Sequence, residues 1–154
     1  MLTILCGISG TGKSTYAKEL AAREKSFIIC RDKIREMVYG EYKFIPENEE
    51  KINILTTEMV MQALKNKISI IIDETNITEK RRDNWRKIGL LCNSDVKLVY
   101  LYTDNNLIER RMTSPKGQSE EVWAKVIENQ TKRFEIPTDQ EIKMYQEYEE
   151  INIP

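Results

Sequence analysis

Residues 2–14 read Leu2-Thr3-Ile4-Leu5-Cys6-Gly7-Ile8-Ser9-Gly10-Thr11-Gly12-Lys13-Ser14. The apolar run Leu2 to Cys6 predicts a short buried strand, and the pattern G-x-x-x-x-G-K-S/T follows it at once. Small residues in such a loop let backbone N–H groups converge on an anion. Lys13 can reach the outer phosphates as a point charge, and Ser14 can offer its hydroxyl to Mg²⁺. From Lys13 to Arg23 the residues Ala17, Leu20 and Ala21 share one face, so a helix is expected whose positive end lies under the phosphates. An ordinary glycine turn would have neither flank. Gly7, Ile8, Ser9, Gly10, Thr11, Gly12, Lys13, Ser14 and Thr15 are therefore the expected ATP-binding loop, with Mg²⁺ on Ser14.

Beyond this loop the chain alternates. Phe27 to Cys30, Ile68 to Ile72 and Val96 to Tyr102 read as strands. Asp32 to Tyr39, Glu49 to Lys65, Thr78 to about Leu91 and a stretch from Asp104 through Arg111 read as helices. Gly40 to Asn48, with Pro46, reads as a loop, and Ser119 opens a helix that Pro137 ends. The tail, residues 138–154, reads as charged, helical in part and then briefly extended. Strands alternating with helices predict an α/β fold: a three-layer sandwich with a parallel sheet of four or five strands and helices on both faces. No repeat or linker divides residues 1–154, so one domain is expected.

The 154 residues carry 24 basic and 25 acidic side chains, a net charge of −1, so no global pull toward nucleic acid is visible. There is no histidine, which leaves a carboxylate as the expected general base. Cys6, Cys30 and Cys92 have no metal-like spacing and read as reduced packing residues of a cytoplasmic protein. The N-terminal apolar run is too short for a signal peptide or a membrane span.

Asp32 follows the second strand directly, in Arg31-Asp32-Lys33-Ile34-Arg35. At the C-terminal edge of a parallel sheet it can accept the proton of an attacking hydroxyl, or it can simply cap the next helix. Arg35, three residues on, can bind an anionic group on the acceptor or stay a surface charge. Glu74, after the third strand, can hold Arg35, contact a metal-bound water or be a plain loop carboxylate. Ile70 to Glu74 also resembles the Asp-Glu element of P-loop ATPase machines, whereas no Asn-Lys-x-Asp guanine-reading element is present.

These segments together resemble the kinase domain of bacteriophage T4-type polynucleotide 5′-hydroxyl kinases. The matches are Gly7–Thr15, Ile29–Arg35, Ile71–Trp85 and a basic segment at residues 109–117, in family order. The resemblance implies that Asp32 is the general base and that Arg35 holds the acceptor nucleotide's phosphate. It places Glu74, where the family usually has aspartate, near that arginine, and makes Thr75 and Asn76 part of the acceptor motif. It implies a lid over the transferred phosphate at about residues 110–118, with Arg110, Arg111 and Lys116 available. Arg111 is preferred, because lysine lacks arginine's fork. The expected reaction is transfer of the ATP γ-phosphate to the 5′-hydroxyl end of DNA or RNA. The phosphatase domain of bifunctional members has no counterpart motif, so a kinase-only chain is expected. A small-molecule kinase and an ATPase or nucleotide switch are the two rival readings. Lys80, Arg81, Arg82, Arg86 and Lys87 read better as a solvated helix face, with Trp85 in the core, than as a nucleic-acid groove.

Overall fold

The computed structural model describes residues 1–41, 44–104, 106–108 and 119–154. β1 (Leu2–Cys6) leads through the loop to α1 (Lys13–Glu24) and β2 (Phe27–Ile29). Then come α2 (Arg31–Tyr39), α3 (Pro46–Lys65), β3 (Ile70–Ile72), α4 (Glu79–Leu91) and β4 (Val96–Tyr102). After the basic segment follow α5 (Glu120–Arg133), α6 (Asp139–Ile142) and β5 (Glu147–Asn152).

The five strands pair in parallel in the order β2-β3-β1-β4-β5. Alternation decides which side chains meet which helices. Leu2, Ile4, Ile70, Ile72, Val96 and Leu98 pack with Ile34 of α2, Ile52, Val60 and Leu64 of α3, and Trp85 of α4. Leu5, Ile71, Val99 and Leu101 face the other way, onto Ala17 and Leu20 of α1. The sheet is thus covered on both faces, as the β-branched runs predict. All strands run the same way, so the loops after β1, β2 and β3 gather at one edge.

Several boundaries differ from the sequence reading; β3, for one, begins at Ile70 rather than Ile68. α3 starts at Pro46, three residues before the expected Glu49, because proline is tolerated at a first helical position, where its missing N–H is unneeded. α5 stops at Arg133, and Phe134 is already extended. The tail is helical and then extended, as expected, but its extended part is a full sheet strand: Glu147–Asn152 pairs with all of Lys97–Tyr102, and Lys97 Nζ holds Glu149 at 2.7 Å. Tyr148 and Ile151 of this edge strand pack inward on opposite faces.

All three cysteines are free. Burial pushes the Cys6 thiol up to about 12, so it stays neutral and packs. Among the described residues no helix is long and apolar enough to cross a membrane.

Candidate active site

The loop after β1 is built on backbone geometry. Gly7, Gly10 and Gly12 have φ of 148°, 86° and 92°, which residues with a Cβ rarely adopt. A Cβ on Gly7 would lie 2.3 Å from the Leu101 carbonyl oxygen. Gly7 N–H donates to Thr75 O at 2.9 Å, tying the loop to the exit of β3. Gly12 caps α1 without any side-chain acceptor, so the first N–H groups of the helix remain for an anion. Lys13 is buried, and its ammonium lies 2.7 Å from Ile8 O, folded over the loop. Ser14 and Thr15 are exposed in the first turn of α1. Ser9 N–H donates to Gln130 Oε1 of α5 at 2.7 Å.

Next to the loop opens a cleft of about 430 Å³ lined by Ser9, Asp32, Arg35, Glu74, Thr75 and side chains of α4 and α5. Asp32 stands in the first turn of α2, directly after β2, and its carboxylate is 45% exposed. Asp32 Oδ1 accepts from Arg35 Nη1 at 2.5 Å. Arg35 is itself gripped by a residue missed in the sequence: Nε and Nη2 donate to the two Glu49 oxygens at 2.6 and 2.7 Å. The bonds to Glu49 are the main reason the Arg35 pKa is raised. The guanidinium also lies 5.7 Å from the Phe44 ring centroid.

Glu74 holds a different arginine from the one expected. Arg31 Nε and Nη2 donate to its carboxylate at 2.6 Å each, and Arg31 Nη1 reaches Asn53 Oδ1 at 2.8 Å. The register explains the pairing: Ile29 is opposite Ile72, so Arg31 and Glu74 each lie two residues beyond one rung of the sheet. That adjacency of β2 and β3 has no local sequence signal, and neither does the approach of α3 to α2 that brings Glu49 onto Arg35.

Thr75 lines the cleft, but Asn76 does not. Asn76 is buried with φ 42°, and its Nδ2 donates to Leu5 O at 2.8 Å, bracing β1 from below. Asn tolerates this left-handed backbone better than most residues. Asp73, at the end of β3, also lines the cleft and forms no ion pair among the described residues. The Ser14 hydroxyl and Asp73 carboxylate are hard oxygen donors that suit Mg²⁺ completed by phosphate and water. Among the described residues no cluster of three His, Cys, Asp or Glu stands ready to hold a metal unaided. The expected lid residues Arg110, Arg111 and Lys116 lie outside the described residues.

The basic helix α4 divides. Trp85 is buried core, as expected, but Arg82 is not on a solvated face. Its side chain is 0% exposed and donates from Nε and Nη2 to Glu141 at 2.6 and 2.7 Å, and from Nη1 to Asn76 O. Helical spacing places Arg82 on the inner side, three residues before Trp85. Arg86 and Lys87 pair with Asp83.

The family model AAA_33, described as an AAA domain, matches residues 2–137. The chain belongs to the AAA_33 family. It is a P-loop kinase domain that resembles polynucleotide kinases among others. Among curated proteins it is similar to the L-seryl-tRNA(Sec) kinase of Methanococcus maripaludis, 32% identical over 144 residues, 89% of this chain and 53% of that protein. It is similar to a putative bifunctional polynucleotide kinase/RNA ligase of Autographa californica nuclear polyhedrosis virus, 31% identical over 105 residues, 60% of this chain and 15% of that protein. It is also similar to the thermoresistant gluconokinase of Escherichia coli, 26% identical over 120 residues, 74% of this chain and 66% of that protein. Among solved structures, a chain of the Pnkp1/Rnl/Hen1 complex superposes with a TM-score of 0.66 at 27% identity, covering 76% of this chain and 40% of that one. The kinase domain thus spans about half of the first of these relatives and far less of the second.

Proposed function

We propose that this kinase domain transfers the γ-phosphate of ATP to the 5′-hydroxyl end of DNA or RNA, with Asp32 as general base. The observation that carries the reading is the meeting of Asp32, Arg35 and Ser9 of the P-loop in one cleft. The polynucleotide acceptor is supported by the likeness to the viral polynucleotide kinase/RNA ligase and to the Pnkp1 complex.

In this mechanism the loop N–H groups, the α1 terminus and Lys13 hold the donor phosphates. Mg²⁺, held through Ser14 and Asp73, would neutralise phosphate charge. The acceptor hydroxyl gives its proton to Asp32 as its oxygen bonds to the γ-phosphorus and the bond to the β–γ bridging oxygen breaks. Arg35 steadies Asp32 and offers its remaining N–H groups to the acceptor. Arg111 is the preferred lid residue closing on the transferred phosphate, with Arg110 and Lys116 beside it.

The test is end labelling with γ-labelled ATP and Mg²⁺ on 5′-hydroxyl DNA and RNA oligonucleotides. Label should appear on the 5′ end, and Asp32→Asn should lower transfer by about 100-fold or more while ATP binding persists. A second reading, a small hydroxyl acceptor, is favoured by the gluconokinase likeness. Phosphorylation of gluconate with unlabelled oligonucleotides would replace the first reading with the second. Transfer to water alone that survives Asp32→Ala would sink both.

A further inference from the structure

The charges of the cleft do not cancel evenly. Arg31 is held bidentately by Glu74, and Arg35 is held by Glu49 and Asp32. Arg81, in the first turn of α4, lines the same cleft, yet among the described residues no carboxylate or other acceptor is bonded to its guanidinium. Its backbone N–H is fixed by the Thr78 cap, so the residue has a set place in the turn. Asp73, in the same lining, forms no ion pair with it.

Its surroundings work against an isolated cation. Partial burial and then the like charge of Arg31 and Arg133 pull the Arg81 pKa down. Glu74 and Glu49 oppose this, but both are already bonded to other arginines. The indole N–H of Trp123, another residue of the lining, is buried and has no acceptor among the described residues either. Across the whole lining four carboxylates face three arginines, so the open capacity is local: the donors of Arg81 and Trp123 meet no acceptor among the described residues. The complement is an acceptor-rich anionic group.

We propose that Arg81 is the anion-binding residue of the acceptor site, gripping a phosphate or carboxylate carried by the molecule that is phosphorylated. Arg35, neutralised by Glu49, then serves chiefly to position Asp32, and Arg81 supplies a guanidinium that no carboxylate grips among the described residues. This assignment rests on the kinase reading with the acceptor in this cleft. Arginine suits the task because its planar fork matches a phosphate or carboxylate bidentately.

The experiment is calorimetric titration of the protein saturated with Mg²⁺ and a non-hydrolysable ATP analogue, so that the P-loop is filled. Three probes are used: thymidine 3′-monophosphate, thymidine and gluconate. One anionic probe should bind about 10- to 100-fold more tightly than neutral thymidine. Arg81→Gln should remove that advantage, and Arg81→Lys should keep part of it. Binding of thymidine 3′-monophosphate identifies the anion as a nucleic-acid phosphate. Arg81-dependent binding of gluconate alone keeps the anion site and removes the polynucleotide acceptor. If both anions bind no better than thymidine, or bind Arg81→Gln as well as wild type, the assignment fails. Oligonucleotide end labelling at wild-type kcat/KM in Arg81→Gln would likewise overturn it and leave the polynucleotide reading standing.

Discussion

Replacing Glu49 tests whether the base is aimed by a chain of contacts. Glu49 grips Arg35 through two charge-assisted bonds of 2.6 and 2.7 Å, with side chains only 13% and 10% exposed. Arg35 in turn donates to Asp32. Hydrogen bonds to charged groups contribute about 1.5–3 kcal/mol each to stability, and a buried guanidinium left without its partner adds a desolvation cost. Glu49→Ala should therefore cost about 2–3 kcal/mol and lower Tm by about 5–10 °C at this chain length. The rate should suffer more. A freed guanidinium no longer fixes Asp32, and misplacement by about 1 Å costs on the order of 100-fold. Initial rates at varied ATP and varied acceptor should show kcat down about 30- to 100-fold, with KM for ATP unchanged because Glu49 bonds no P-loop residue. Glu49→Gln keeps the shape and one acceptor oxygen and should fall between. A folded Glu49→Ala protein with kcat within about threefold of wild type would refute the chain, because Asp32 would then be aimed without Glu49.

Further outcomes are equally direct. Arg82→Met leaves Glu141 buried without its partner and should cost about 3–5 kcal/mol, read as a Tm drop of about 10 °C. The double replacement Arg82→Met/Glu141→Leu should recover much of it, and two additive losses would contradict the pairing. Gly7→Ala drives a Cβ toward the Leu101 carbonyl and should cost about 1–3 kcal/mol and abolish nucleotide binding, and an unchanged nucleotide affinity would count against the loop geometry. The Glu149 pKa is lowered from 4.5, first by its hydrogen bond from Lys97. Its contribution is present above pH 4.5 and is lost as pH falls through the folded value. Because this carboxylate is 43% exposed, screening limits the effect to about 0.5 kcal/mol. Protection factors of the β5 amides, exchange rates corrected for the intrinsic pH dependence, should fall below that pH in wild type and lose this acid dependence in Lys97→Met, and identical profiles would remove the pair from the account.

What the sequence disclosed depended on how local the signal was. The phosphate loop needs φ values that glycine supplies and a strand and helix on either side, all within residues 2–24, so it was legible at once. β1 and β4 were read with their full bounds because apolar runs between polar flanks define them. Pairings across the sheet were not legible. Arg31 with Glu74, Arg35 with Glu49 and Arg82 with Glu141 join residues 43, 14 and 59 positions apart. No periodicity encodes which strand lies beside which. The tail's helix and extended end were legible, but not the pairing of that end with β4, because an edge strand needs few apolar residues and carries no signal of its neighbour.

The Arg82–Glu141 pair has a consequence for the order in which the chain becomes native. As the chain emerges from the ribosome, α4 and the strands before it are available long before residue 141. Until then Arg82 has no carboxylate to meet inside the core and must stay in water, so α4 cannot dock fully on the sheet. Completion of the core is thereby deferred until α6 delivers Glu141 and β5 zips onto β4. An early, prematurely sealed fold is discouraged by a single charge waiting for its partner.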